Sequence, residues 1–261
     1  MAPLWLYARH NLALSLMRSG RAAQAIGEYQ RAIQDSPSAF TLHFNLALIY
    51  QQINQLKKAD SEYRATARLL SAAAGDRRAD LARLYNAEGT LAAQRHDKKK
   101  ALDLYQRARR QMPDLPEAVH NIALLSPPAE KERLLKQNLS YLNSRIELAQ
   151  MLKQQNRYSE AIPQYEEIVR ERQDFVGAHL DLAQLYLIES RTDMSRLSRA
   201  LEQIHEAERL APEFWKTYLV KAEASRRQGQ APAANENYRT ARRLAPDREA
   251  RREIRNSERM R

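Results

Sequence analysis

A small residue, a large side chain four positions later and a further position three beyond that recur along this chain in one register. The sets are Ala25, Tyr29 and Ala32; Ala59, Tyr63 and Thr66; Ala101, Tyr105 and Ala108; Ala161, Tyr165 and Ile168; Ala200, Ile204 and Ala207; and Ala234, Tyr238 and Ala241. Spacings of four and three residues fall on one face of a helix. Upstream of these sets stand further small residues, Ala13, Ala47, Gly89, Ala123, Ala149, Ala183 and Ala222. Small residues in both runs let two helix axes approach closely. Asn11-Leu12-Ala13 and Asn45-Leu46-Ala47 lie 34 residues apart, as do Glu147-Leu148-Ala149 and Asp181-Leu182-Ala183. Gly20, Asn54, Asn156 and Gly229 separate the two runs, and Gly and Asn adopt the left-handed conformation that ends helices. Pro37, Pro113, Pro212 and Pro246 follow the second run, where a helix cannot continue through them.

Composition agrees with a helical chain. Only 6 of 261 residues are glycine, too few for a sheet-rich fold with many tight turns. A chain that is 43% hydrophobic and 29% charged is typical of folded, soluble proteins. With no cysteine, disulfides, thiolate metal sites and cysteine nucleophiles are excluded.

On these positions and this 34-residue period the sequence resembles the tetratricopeptide repeat family. The resemblance covers nearly the whole chain. It implies an all-α fold, an α-solenoid of antiparallel helix pairs (helix A, then helix B) forming a right-handed superhelix with the A helices on its concave side. About seven repeats are expected in a single solenoid domain over 1–261, at roughly 6–39, 40–73, 82–115, 116–141, 142–175, 176–213 and 215–248. Residues 249–261 are a basic C-terminal capping helix or tail. Met1–Leu6 lacks the basic region and long apolar core of a signal peptide, and reads as an artificial start because the first repeat begins at once.

Three irregularities interrupt the period. An insertion surrounds Ala72–Asp80, the fourth repeat is shortened by Ser126-Pro127-Pro128 with a second helix near Ala129–Leu139, and extra residues fall near Ser190–Ser198. Loop insertions cost little, so repeat decay accounts for them; the alternative is a change of pitch at Pro127-Pro128 that separates two binding surfaces.

The resemblance places a peptide-binding groove on Tyr7, His10, Asn11, Leu14, Phe44, Asn45, Leu48, Asn86, His120, Asn121, Gln150, Arg226 and Arg227. Arg18, Gln52, Thr90, Gln94, Leu124, Lys153, Gln154, Gln184, Leu187, Lys216 and Glu223 extend it. Asn11, Asn45 and Asn121 occupy one place in their repeats. A carboxamide both donates and accepts, so such a ladder can grip a peptide backbone, and it resembles that of the O-linked N-acetylglucosamine transferase family. Ala87, Glu147, Asp181 and Val220 interrupt it; the other reading has each Asn bonding within its own repeat. The lysine with which chaperone-binding members hold a C-terminal carboxylate is missing, since His10, Phe44, Asn86 and His120 stand there. The N-terminal groove, aromatic and amide in character, suits a semi-apolar peptide; the basic last repeat suits acidic groups.

No Gly-rich phosphate loop, G-x-S-x-G or H-E-x-x-H occurs. The chain therefore reads as non-enzymatic, with no catalytic residue, metal or cofactor. His43 and His179 fall at a core position of the repeat. The net charge is +11, with arginine dense from Arg239 onward but mixed with Asp247, Glu249, Glu253 and Glu258. The function expected is a protein–protein interaction scaffold or adaptor that holds a peptide or partner segment of unknown identity. The alternatives are a regulatory or targeting region of a larger protein or enzyme, and a helical-repeat RNA or other nucleic-acid binder using the basic C-terminal end. Nucleic acid is the weaker partner, because no regular base-reading code appears. Self-association is compatible with exposed array ends. No apolar run has the length of a membrane span; the chain reads as soluble, with the cytoplasm favoured over the periplasm.

Overall fold

The computed structural model describes the backbone of residues 4–190 and 193–259, and the side chains of residues 8–190 and 193–259. The expectation for Met1–Leu6 lies outside the described side chains, as does Tyr7. Among the described residues there are fifteen α-helices and no strand. Two compact units contain them. Met1–Tyr141 holds the pairs α1 (Leu4–Arg18) and α2 (Ala22–Asp35), α3 (Phe40–Gln52) and α4 (Leu56–Ala72), α5 (Arg78–Gln94) and α6 (Lys98–Gln111), and α7 (Pro116–Leu125) and α8 (Pro128–Gln137). Leu142–Arg261 holds α9 (Leu142–Gln154) and α10 (Tyr158–Glu171), α11 (Val176–Glu189) and α12 (Ser195–Leu210), α13 (Trp215–Arg227) and α14 (Ala231–Leu244), and a final α15 (Arg248–Arg259).

The recurrent positions are the places where each pair closes. Ala13, Ala47, Ala123, Ala149, Ala183 and Ala222 are fully buried, and so are Ala25, Ala59, Ala101, Ala161 and Ala200. Tyr29, Tyr63, Tyr105, Tyr165, Tyr238 and Ile204 are buried beside them. Gly89 shows how tight the contact is: a Cβ built there would lie 2.6 Å from the ring of Tyr105. The tyrosines also do more than fill space, because their hydroxyls reach helix A of their own pair. Tyr63 Oη donates to Gln51 Oε1 at 2.6 Å, Tyr29 Oη meets His10 Nδ1 at 2.6 Å, and Tyr105 Oη donates to Thr90 Oγ1 at 3.4 Å. Burial pushes the Tyr29 phenol up to about 12 and also raises Tyr63, Tyr105 and Tyr165.

Five A–B turns share one geometry. Gly20, Asn54, His96, Asn156 and Gly229 all have φ between 59° and 74°. In each, the following amide bonds five residues back, as in Gln55 N to Tyr50 O at 2.7 Å and Asp97 N to Ala92 O at 3.0 Å. The left-handed residue's own amide bonds three back, as in Asn54 N to Gln51 O at 3.1 Å, completing a Schellman closure. His96 was not marked as a turn residue by sequence, because histidine is an uncommon choice at positive φ.

The irregular stretches are absorbed differently from the sequence expectation. Longer helices take up most of the insertion around Ala72–Asp80, since α4 runs to Ala72 and α5 starts at Arg78, ahead of the expected repeat start at 82. Pro127 and Pro128 begin α8 rather than ending a unit, and α7 and α8 both lie in Met1–Tyr141. Proline is tolerated in a first turn because its missing N–H is not needed there. His43 and His179 are both hydrogen-bonded, His179 buried and His43 half-buried: His43 Nδ1 meets Glu62 at 2.7 Å, and His179 bonds Gln203 at 2.7 Å and Gln173 O at 3.1 Å. In α15, Ala250 and Ile254 are buried against Trp215, Leu219 and Tyr238, so this basic segment covers the apolar end of the last pair.

Glu88 occupies the place held by Leu46, Ile122, Leu148 and Leu182 in other pairs. Desolvation raises its carboxyl pKa; Lys100 opposes this, Asp60 adds to it, and Arg107 and Arg64 oppose it. A raised folded-state value means that folding favours the protonated form. That contribution is complete below the ordinary carboxylate pKa and is lost as pH rises through the raised value. Glu88→Gln is therefore expected to raise the melting temperature at pH 7, with the gain over wild type shrinking toward pH 4, as read by circular dichroism melts across that range. Gly89→Ala is expected to cost about 1–3 kcal/mol in urea unfolding, because the Tyr105 ring must move.

Candidate functional site

A recess of the first unit lies between α3, α5 and the α6–α7 connection, a cleft of about 690 Å³. Its floor is apolar, with Phe44, Leu48, Ala87, Met112, Leu115 and Pro116; its walls carry Gln51, Gln52, Asn86, Thr90 and Gln94, with Arg83 and Glu117 adding one charge of each sign. Each part has a local cause. Phe44 is braced by Tyr63, with ring centroids 6.0 Å apart. Asn86, Thr90 and Gln94 share one face of α5 at four-residue spacing. Ala87 stands where Asn45 and Asn121 stand in other pairs, and its missing side chain is the hollow. Glu117 Oε2 is buried with no partner among the described residues, an acceptor whose isolation in a recess is costly unless a donor arrives.

The ladder asparagines do not bond within their own repeats. Asn45 Nδ2 meets His10 Nδ1 at 3.2 Å, and Asn121 Nδ2 donates to Asn86 Oδ1 at 2.9 Å. Both bonds run to the preceding pair, with the same separation of 35 residues. Tyr29 Oη contacts the same His10 nitrogen, so the ring links the two helix pairs. Asn11 is exposed and outside the cleft. His120 packs edge-on against Tyr141, with centroids 5.5 Å apart. Above the ladder, Leu14, Leu48 and Leu124 occupy one repeat position and are 41%, 41% and 44% exposed. Thr90 takes that position on α5. Exposed leucines in register form a surface that water solvates poorly.

The second unit presents another chemistry at the same position, with Gln150, Gln184 and Glu223. Gln150 is exposed but lines neither recess of this unit. Arg226 and Arg227 line a cleft of about 560 Å³ with Gln184, Leu219, Val220 and Glu223, and α15 closes it with Glu253, Asn256 and Ser257. Arg226 Nη1 donates to Ser257 O at 3.4 Å, Arg227 lies 3.7 Å from Glu223, and Arg242 pairs with Glu258 at 2.6 Å. The basic end anticipated for acidic ligands is thus engaged in part by the chain's own acids and carbonyls. A second recess of about 370 Å³ holds Lys153, Asp181, Lys216 and Glu253; there Lys153 Nζ donates to Asp181 at 2.6 Å and Gln184 at 2.7 Å. Leu187 is buried rather than groove-facing, because it sits one residue short of the position that would expose it.

Of the expected groove residues, the structure gathers Phe44, Leu48 and Asn86 in one cleft and Arg226 and Arg227 in another. Tyr7 lies outside the described side chains. Sequence reasoning missed Met112 and Leu115, which come from a connection, and Pro116, which begins α7. Their signal was Met112-Pro113 and Leu115-Pro116, two apolar residues each followed by a proline. Among the described residues no group of three or more His, Asp or Glu could hold a metal ion, and no helix is long and apolar enough to cross a membrane.

Comparison with known proteins follows the same lines. A family model described as TPR repeat matches residues 13–54, and one described as tetratricopeptide repeat matches 146–193. No curated protein matches the chain. Among solved structures, the C-terminal part of a TPR repeat-containing protein from Cytophaga hutchinsonii is 12% identical, with a TM-score of 0.59 over 96% of this chain and 99% of that one. A tetratricopeptide repeat protein from Parabacteroides merdae is 16% identical, with a TM-score of 0.52 over 97% and 98%. Pseudomonas aeruginosa pilF is 18% identical, with a TM-score of 0.52 over 96% of both chains. At these identities the likeness concerns the fold. Fold and family matches together define an all-helical repeat protein that carries tetratricopeptide repeats at residues 13–54 and 146–193.

Because Asn121 is tied to Asn86, replacing it removes a bond between neighbouring pairs. Asn121→Ala is expected to lower stability by about 1 kcal/mol, and the loss should nearly vanish in an Asn86→Ala background when both are measured by urea unfolding as a double-mutant cycle.

Proposed function

We propose that this protein is a non-catalytic adaptor that holds a segment of a partner protein on the A-helix face of its first unit, anchored in the cleft around Phe44, Leu48 and Asn86. The observation that carries this reading is the pairing of an apolar floor with convergent amides. An apolar side chain entering between Leu48, Met112 and Leu115 loses contact with water, while Gln52, Asn86, Thr90 and Gln94 offer donors and acceptors to its backbone. Glu117 supplies an acceptor for an incoming N–H. The exposed leucines Leu14 and Leu124 extend the apolar contact along the same repeat position.

Leu48 and Met112 are exposed enough to be changed without emptying the core. Random peptides displayed on phage and selected against the wild-type chain are expected to yield binders whose affinity falls at least about tenfold in Leu48→Glu/Met112→Glu, a loss on the order of 1.4 kcal/mol or more, while the thermal melt is unchanged. Binders indifferent to this variant would place the contact elsewhere and overturn the assignment.

A further inference from the structure

The positive charge of this protein is unevenly placed. Met1–Tyr141 carries 21 Lys and Arg against 13 Asp and Glu, whereas Leu142–Arg261 carries 22 against 19. The excess in the first unit gathers where α4 and α6 begin. Lys57, Lys58, Lys98, Lys99 and Lys100 lie in the first turns of these two helices and all are exposed. The two helix starts are neighbours: in the turn before α6, Arg95 Nη2 donates to Leu56 O at 2.8 Å and Arg95 Nη1 lies 3.7 Å from Asp60.

Among the described residues, these lysines are the one place in the unit where five exposed cations gather at two adjoining helix starts. The nearby arginines are neutralised, Arg64 by Asp60 and Arg107 by Asp103. None of the five lysines has a carboxylate within ion-pair distance among the described residues; Lys58 rests on the ring of Tyr50, 5.3 Å from its centroid. The acids at this edge are already engaged. Asp60 serves Arg64 and Arg95, and Asp97 accepts from Lys100 N as the N-cap of α6. Ammonium groups at the positive ends of two helix dipoles cost stability; Lys100 is offset in part by the half-buried Glu88 carboxyl, and the edge as a whole offers positive charge to an external anion.

The cleft and this edge adjoin along the chain. Gln94, on the cleft wall, is followed four residues later by Lys98, and Gln52 is followed five residues later by Lys57. At about 3.3–3.6 Å per residue the separation is at most roughly 18 Å, which five or six residues of an extended segment also span. Within the cleft itself, Arg83 and Glu117 offset each other.

We propose that the cleft and the lysine edge together take one ligand, an acidic amphipathic segment of a partner protein, with an apolar side chain in the cleft and carboxylates within about six residues of it over the lysines. This rests on the groove reading above and adds the charge of the partner. A protein segment fits better than nucleic acid. The cleft floor of Phe44, Leu48, Met112 and Leu115 matches an apolar side chain and has no use for a phosphate backbone. Tyr50, the ring beside Lys58, is buried and offers no face for base stacking. Lysines act as point charges rather than bidentate readers of bases.

The test uses the full chain and defined probes. Peptides of about 16 residues, selected from a random display library and synthesised with a fluorophore, are titrated by anisotropy against three proteins at low and high salt: wild type, Lys98→Gln/Lys99→Gln/Lys100→Gln, and Leu48→Glu/Met112→Glu. This length covers the cleft and the edge together. All five changed side chains are exposed, and circular dichroism melts confirm folding. Recovered peptides are expected to place Asp or Glu clusters within six residues of an apolar anchor. Their binding should weaken about tenfold in the lysine variant and again at high salt, as the loss of three rim charges implies, and should also be lost in the cleft variant. Peptides lost only in the cleft variant, with no acidic excess and no response to the lysine changes, would leave the groove reading standing and overturn this one. Failure to recover any binder, or binders indifferent to both variants, would overturn both. Tighter binding of a fluorescein-labelled DNA duplex or of phosphatidylserine vesicles, lost in the lysine variant, would assign the edge to phosphate polyanions and overturn the acidic-peptide proposal.

Discussion

Everything in this protein hangs on the contact between a small residue on helix A and a tyrosine on helix B. A buried aromatic removes about 150–250 Å² from water, roughly 4–6 kcal/mol of gross transfer free energy at about 25 cal/mol per Å². That outweighs the exposed ion pairs on the helix surfaces, each worth at most about 1 kcal/mol. The contact is also steric. Ala47, Ala149 or Gly89 must be small for the ring to enter, and the ring must be present for the small residue to be covered. Where the large side chain is a tyrosine, the polar end of the ring can reach helix A, as where Tyr29 meets His10 and Tyr63 meets Gln51. Gln51 in turn lines the candidate cleft, so the packing device supports one of its walls.

The two units use one scaffold for different chemistry. In the first, the exposed repeat position carries Leu14, Leu48 and Leu124; in the second it carries Gln150, Gln184 and Glu223. The second unit also closes its basic recess with its own helix α15, which brings Ser257 to Arg226 and Glu258 to Arg242. Charged side chains that look available along the sequence are thereby partly satisfied within the fold, while the five lysines where α4 and α6 begin stay exposed. Backbone closure does not vary between the units, since the same left-handed turn recurs at Gly20, Asn54, His96, Asn156 and Gly229. Variation is confined to side chains that the helix framework holds but does not need.

The repeat itself was legible because its causes are local. Helical spacing, small residues at contact points, and Gly, Asn and Pro at the ends are fixed by interactions within one turn or one pair, and these leave a period in the sequence. The site was only partly legible. Phe44, Leu48 and Asn86 could be placed by register, but Ala87, read as a gap in the ladder, is what opens the cleft, and Met112 and Leu115 enter it from a connection that the period does not describe.

The sequence by itself determined the helix pairs, their approximate boundaries, most of their turns and their tetratricopeptide character. Only the tertiary structure decided that Asn45 and Asn121 tie neighbouring pairs together, that Leu187 is buried, that α15 engages Arg226, and that five exposed lysines gather where α4 and α6 begin side by side. The reason is physical. Hydrogen bonds and ion pairs reach about 3–4 Å, and which side chains come that close across residues 31 or 35 apart depends on how the helices are stacked, not on the spacing of residues along any one of them.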